Sequence, residues 1–259
     1  MLSLLAIGTA VACSLFFAVW AICVRVRNYG FLDVAWSYSI AVLAPLYAVL
    51  GGGAPGRAWL AAGVGTLWSL RLGTYLLRRV LRHHPQEDPR YQTLRARWPG
   101  PLRFLAFFEI QALVAVVFSL PFLLMACNPE PRLAPVELAG LALALGALCL
   151  EALADAQMAR FKADPANRGR LCTRGLWRYS RHPNYFFESL VWWGFFVASL
   201  GSPFGWISLV CPVLMLYFLL KVTGIELTEA HSLRTHGDAY RAYQRSTSAF
   251  IPWFPKRHA

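Results

Sequence analysis

The chain has 259 residues, 57% of them hydrophobic and only 15% charged, with a formal net charge of +12. So apolar a composition excludes an ordinary soluble domain of this length. With ten Trp and seventeen Phe, the positive charge has to be placed against a membrane surface, and no nucleic-acid partner is expected.

In chain order, seven apolar runs read as membrane-spanning helices: roughly 2–24, 31–50, 58–81, 104–126, 136–158, 184–200 and 204–224. Each is near the ~20 residues that a ~30 Å hydrocarbon layer requires. Backbone groups inside lipid must be satisfied within the segment, so these runs are expected to be helical. No Lys or Arg precedes Arg25, and the first run reads as a retained helix rather than a cleaved signal peptide. GGGAPG makes a tight turn between runs two and three, and CNPEPRLAP joins runs four and five. The expected fold is all-α, one seven-helix membrane bundle. Helices in 1–126 form the substrate side, and helices and loops in 127–259 form the cofactor side.

Twenty-three of the 25 basic residues fall in the first loop, in 71–103, in 160–181 and in the C-terminal part. Only Arg57 and Arg132 fall on the opposite side. Basic loops stay in the cytoplasm, so the N-terminus is expected outside and the C-terminus inside, with localisation to a bacterial inner membrane or its equivalent. The six cysteines lie mostly in apolar runs without a CxxC spacing, and neither a disulfide framework nor a metal site is expected. No oligomeric signal is visible, and a monomer in contact with membrane lipid is expected.

The polar chemistry concentrates in three basic segments, 78–100, 159–185 and 225–255. Each mixes arginine with Tyr, His, Asn or Asp. Guanidinium forks pair with phosphates and aromatic faces stack on rings, as a nucleotide-like cofactor needs. Arg90, Arg160, Tyr179, His182, Tyr240 and Tyr243 are candidates for that role. Basic loops that merely meet anionic lipid have the same composition. A second set of polar residues lies in or beside the apolar runs: Glu151 and Asp155 one turn apart, Asn184 and Glu188 at i, i+4 spacing, and Glu109 with Gln111. Ionisable groups at such depth usually face an internal cavity with a partner.

RGRLCTRGLWRYSRHPNYFFE at 168–188 and YRAYQRSTSAFIPWFP at 240–255 resemble the C-terminal region of the steroid 5α-reductase family. LDVAWS at 32–37, SLRLGTYLLRR at 69–79 and EDPRYQTLR at 87–95 resemble its bacterial branch, often filed under a domain of unknown function. The resemblance implies an NADPH-dependent membrane reductase with the cofactor held by C-terminal helices and loops. By the same resemblance Asp155, Arg170 ahead of the 175–177 turn, Asn184 and Glu188 hold the cofactor. Tyr75 polarises the substrate ketone. The adjacent Gln–Glu pair of the animal enzymes is missing from the second helix, and Asp33, Glu109 or Gln111 stand as replacements.

The expected reaction is reduction of the C=C bond of a lipophilic, steroid-like enone, with Tyr75, Glu109 and Asp33 as catalytic candidates. A neutral phenol aimed at the carbonyl stabilises the negative charge that develops there. No GxGxxG unit is present, so the cofactor site is expected between helices. RHPNY and the closing tail are shared with isoprenylcysteine carboxyl and phospholipid methyltransferases. With Glu226 and Glu229 they support an alternative, an S-adenosylmethionine-dependent methyltransferase of a lipid or prenylated substrate.

Overall fold

The computed structural model describes residues 1–222 and 224–256, and these are almost entirely helical, with no strand among them. Arg257, one of the C-terminal basic residues counted above, lies outside the described residues. Two compact units divide the chain: residues 1–137 with 199–208, and residues 138–198 with 209–259.

The first unit contains α1 (Leu2–Val26), α2 (Phe31–Leu50), α3 (Pro55–His83), α4 (Pro89–Arg97), α5 (Pro101–Phe118) and α6 (Leu120–Ala126). Proline opens α3, α4 and α5, at positions where the missing N–H has no acceptor in any helix. α1 stops at Arg27, which adopts a left-handed φ of 54° and turns the chain toward α2. The core is aromatic: Phe16, Tyr47, Trp68, Phe104, Phe108, Phe118 and Phe122 are each no more than 2% exposed. α2 and α3 pack closely because Gly73 has no side chain; a Cβ there would lie 2.6 Å from the Tyr38 ring. Small residues bring membrane helices together in this way.

The apolar run expected as one span over 104–126 is broken at Ser119 into α5 and α6. Pro121 supplies no N–H to the carbonyl one turn earlier, and its ring crowds that carbonyl. Ser119 bridges the break: its hydroxyl donates to the Val116 carbonyl at 2.7 Å and lies 3.1 Å from the Tyr47 hydroxyl.

The second unit contains α7 (Pro135–Ala163, apart from its first turn), α8 (Pro183–Ser199), α9 (Val210–Tyr217), α10 (Ile225–His236) and α11 (Asp238–Ser246). α7 and α8 meet backbone to backbone, since a Cβ on Gly194 would lie 2.6 Å from the Ala144 nitrogen. The 164–182 loop contains two single-turn 3₁₀ segments, Pro165–Asn167 and Gly175–Arg178. The C-terminal tail docks on the end of that loop, where the Arg181 N–H donates to Ser248 and the Trp253 N–H to Tyr179, both at 2.9 Å.

Five segments are long and apolar enough to cross a membrane: Leu2–Val26, Phe31–Leu50, Pro101–Phe118, Pro135–Ala163 and Gly205–His236. These are the features of a membrane protein. The other two expected spans are helical as well, but α8 has only 17 residues, and α3 carries Arg57, Arg71, Arg78, Arg79 and Arg82.

Candidate functional site

Three polar clusters interrupt the apolar helices. The first joins the DVAWS and EDPRY segments, which are more than fifty positions apart. Asp88 caps α4, accepting from the Arg90 N–H at 2.9 Å, so Arg90 and Tyr91 leave the first turn together. Both reach Asp33 on α2: the Arg90 guanidinium donates to one carboxylate oxygen at 2.8 Å and the Tyr91 hydroxyl to the other at 2.6 Å. Arg90 also pairs with Asp88 at 3.1 Å. Glu87 accepts from the Tyr29 N–H at 2.7 Å and from Arg95 at 2.8 Å. The Arg95 guanidinium in turn lies 4.9 Å over the Tyr29 ring. Burial works against the ionised form of Asp88, but hydrogen bonds from Arg90 and the charges of Arg90 and Arg79 outweigh it and hold the carboxyl below its usual range. Burial, together with the Asp33 charge and hydrogen bond, pushes the Tyr91 phenol well above its ordinary value, so it stays a donor.

The second cluster joins the N-terminal ends of α3 and α7 within the first unit. Arg57 is 2% exposed and Glu137 0%. The Arg57 Nε donates to Glu137 at 2.5 Å, and a second guanidinium nitrogen donates to the other carboxylate oxygen at 3.1 Å. The remaining N–H groups meet the carbonyls of Asn128, Glu130 and Arg132. Asn128 extends the cluster to Gly201 and Ser202, both at 3.1 Å. Arg57 is therefore an internal structural cation, whereas Arg132 is exposed.

The third cluster lies in the second unit, around RHPNY. Arg181 is 9% exposed and Glu229 is its counter-ion, at 2.6 Å. Glu229 also accepts from Gln244 at 2.7 Å and lies 3.4 Å from His182. His182 stacks on Tyr185 with a 5.4 Å centroid separation. Arg181 binds the Thr247 carbonyl at 2.5 Å, fastening the tail to the start of α8. The Tyr243 hydroxyl donates to the carbonyls of Trp177 and Ser180. The 175–178 turn is seated on α7 from both sides of Asp155. The Trp177 indole donates to the Ala154 carbonyl, and Gln157 accepts from the Leu176 N–H, each at 2.9 Å.

Beside this network stand Glu151 and Asp155 on α7 and Asn184 and Glu188 on α8. The Asn184 amide N–H donates to Asp155 at 3.3 Å, and Glu188 accepts from the Trp192 indole at 3.0 Å. Glu151 and Glu188 are only 4% and 6% exposed. The Asn184 Oδ1 is buried and accepts no hydrogen bond. A buried acceptor without a partner costs about 1–3 kcal/mol, so it marks a place where a donor belongs.

Of the residues expected to hold a cofactor, Asp155, Asn184 and Glu188 are thus grouped where α7 meets α8. Arg160 and Arg170 are exposed in the same unit and Tyr179 is half-buried. His182, Tyr240 and Tyr243 belong to the Arg181–Glu229 network, where they fasten the tail. Arg90 is in the first unit, paired with Asp33, which was expected in a catalytic role. Glu109 is half-buried on α5 and hydrogen-bonded to Cys13. Tyr75 is 49% exposed. It lies off the inward stripe of α3: buried Trp68, Ser69 and Gly73 form that stripe, and Tyr75 is two residues, about 200°, round from Gly73. The Arg57–Glu137 pair and the hub role of Glu229 went unread in the sequence. The signals were there in the acid two residues after Pro135, in Arg57 two after Pro55, and in the arginine of RHPNY.

An all-helical membrane protein with a buried polar cluster at the α7–α8 contact is the class these features define. The chain belongs to the family described as "protein of unknown function (DUF1295)", whose model matches residues 19–247. It is similar to a Schizosaccharomyces pombe protein, "uncharacterized protein C594.04c", with 26% identity over 93% of this chain and 77% of that protein. No solved structure matches the chain.

Proposed function

We propose that this chain is a multi-pass membrane reductase that uses NADPH to saturate the C=C bond of a lipophilic enone such as a Δ4-3-ketosteroid. The observation that carries the reading is the buried, unpartnered Asn184 Oδ1 beside Asp155 and Glu188. It is supported by the resemblance of 168–188 and 240–255 to the steroid 5α-reductase family. An amide acceptor and two carboxylates fit a carboxamide and ribose hydroxyls, which are donors to all three. Exposed Arg160 and Arg170 suit phosphates. NADPH, when bound, supplies the hydride. Asn184 would accept from the carboxamide and orient the ring; Asp155 fixes Asn184 by taking its N–H; Glu188 would accept from a ribose hydroxyl. Tyr75 would hold its proton toward the enone carbonyl and stabilise the charge that develops there. Its exposed position suits a substrate arriving from lipid rather than from water.

The methyltransferase reading draws on Glu226 and Glu229. Glu229 is already committed to Arg181, Gln244 and His182, and Glu226 pairs with Lys221 at 2.9 Å. The reductase reading therefore leads. In this proposal α3 and α8 complete seven spans, with the N-terminus outside. Burial of Arg57 leaves Arg132 as the exposed basic residue on the outer side and sharpens the charge asymmetry. A reporter fused after the last helix should be active only as a cytoplasmic fusion; periplasmic activity would reverse the orientation.

The direct test of the chemistry is NADPH consumption by purified protein across Δ4-3-ketosteroids. Tyr75→Phe should retain NADPH binding and lower turnover by about 10²–10³-fold, the usual loss for one oxyanion donor. Turnover equal to wild type would remove Tyr75 from the mechanism. Protection against thermal unfolding by S-adenosylhomocysteine and not by NADPH would replace the reductase reading with the methyltransferase one.

A further inference from the structure

The second unit contains a groove of about 660 Å³ between the 171–178 segment, α11 and the tail, lined by Thr173, Arg174, Arg178, Ser246 and Pro255 among others. The size is within the ~300–1,000 Å³ usual for small-molecule sites. Its lining is mostly apolar, and its charges are guanidinium groups. Neither Arg174 nor Arg178 forms an ion pair with a described residue, although Arg178 lies 6.0 Å over the Tyr179 ring. The acid at the start of α11, Asp238, is taken by Arg241 at 2.7 Å. Just ahead of the lining residue Pro255, the tail exposes Ile251, Trp253 and Phe254 at 59%, 70% and 76%. These side chains are held out rather than left loose: the Trp253 N–H donates to Tyr179 at 2.9 Å and the Lys256 N–H to Ser246 at 2.8 Å.

The tail's anchor at Tyr179 lies four residues before Pro183, where apolar α8 begins. With α8 as a span, a reading that rests on the proposal above, this puts Trp253 and Phe254 at headgroup level. Tryptophan favours that level, where one end of the ring is apolar and the other wet. We propose that the groove is a binding site for an anionic phospholipid of the phosphatidylglycerol type. Arg174 and Arg178 take the phosphate, Thr173 and Ser246 are placed for the headgroup hydroxyls, and Ile251, Trp253 and Phe254 cover the upper acyl chain. Charge complementarity chooses this occupant: two unpaired guanidinium groups over an apolar floor match a lipid with a single negative charge at its head and hydrocarbon below. A zwitterionic lipid brings a choline against the same arginines.

The test uses the full-length protein in a mild detergent, titrated with dioctanoyl phosphatidylglycerol or dioctanoyl phosphatidylcholine. Native mass spectrometry reads the bound lipid and thermal unfolding reads its effect. Phosphatidylglycerol should be retained in preference to phosphatidylcholine. Arg174→Gln with Arg178→Gln should weaken phosphatidylglycerol retention by roughly tenfold or more. Trp253→Ala with Phe254→Ala should weaken both lipids alike. NADPH-induced stabilisation should persist in the arginine double variant, so a failure of the cofactor reading leaves this test standing. Equal retention of the two lipids, or unchanged retention in the double variant, would overturn the proposal. Displacement of the phospholipid by NADPH or by inorganic phosphate at comparable concentration would also overturn it, reassigning the groove to a soluble phosphate.

Discussion

The EDPRY cluster of the first unit and the α7–α8 cluster of the second both place carboxylates among apolar helices, and they differ in which polar atoms are left unanswered. Asp33 takes an arginine on one oxygen and a phenol on the other, and Glu87 takes a backbone N–H and an arginine. The Arg57–Glu137 cluster is just as complete. In the second unit Asn184 gives its N–H to Asp155 and leaves its oxygen unanswered in a buried place. The paired carboxylates hold helices in position, and what the first cluster leaves open is a donor, the buried Arg95 Nε. The second unit instead leaves open an acceptor beside two carboxylates, the feature on which the proposed cofactor site rests. Buried polar groups are satisfied with few exceptions, and Asn184 Oδ1 is the exception that stands between two carboxylate-bearing helices.

The largest effect that separates the two regions should come from the closed side. Arg57→Ala leaves the Glu137 carboxylate buried without its cation, a defect that typically costs about 3–5 kcal/mol. The variant should fail to accumulate, or should unfold far below wild type in detergent. Melting within a degree or two of wild type would mean that the cluster does not fasten these loops. By contrast, Asn184→Ala removes one long 3.3 Å hydrogen bond and should change stability by about 1 kcal/mol or less.

The smallest effect is a pH dependence at α4. The Asp88 carboxyl is held below its usual range in the folded chain. Such a group contributes stability above the unfolded carboxylate value of about 3.9, and the contribution is lost as pH falls through the folded value. Acidification below about pH 4 should therefore loosen α4. Asp88→Asn should be less stable at neutral pH and show a shallower decline over that acid range. An identical acid profile in variant and wild type would remove Asp88 from the linkage.

Much of the helical layout could be read directly, because long apolar runs report the need to satisfy backbone groups in lipid. The α5–α6 break could not. Hydropathy counts Pro121 inside an apolar run and has no sight of the N–H it lacks. The meeting of Asp33 with Arg90 and Tyr91 escaped for another reason: EDPRY and DVAWS were each visible as motifs, but pairing across so long a separation follows from how α4 folds back, not from any local period. At the α7–α8 contact, the i, i+4 spacing of Asn184 and Glu188 already put both on one face. The missing element was Asp155 as the partner that fixes which amide atom stays open. Tyr75 shows the reverse case, a residue placed by resemblance whose helix face only the structure reveals.

The most direct test of the account is NADPH binding to the purified protein, read as ligand-dependent thermal stabilisation and by equilibrium titration, in wild type, Asn184→Ala and Asp33→Asn. A ligand at free concentration L that binds only the folded state stabilises it by RT ln(1 + L/Kd), so its melting temperature rises with ligand concentration above Kd. Wild type should bind NADPH saturably in the titration and melt at progressively higher temperature as NADPH is raised above Kd. Asn184→Ala should remain folded and lose that stabilisation. Asp33→Asn, in the closed cluster, should be less stable at rest and yet gain from NADPH as wild type does. Equal NADPH stabilisation in wild type and Asn184→Ala would contradict the account, because the open acceptor between α7 and α8 would then hold no cofactor.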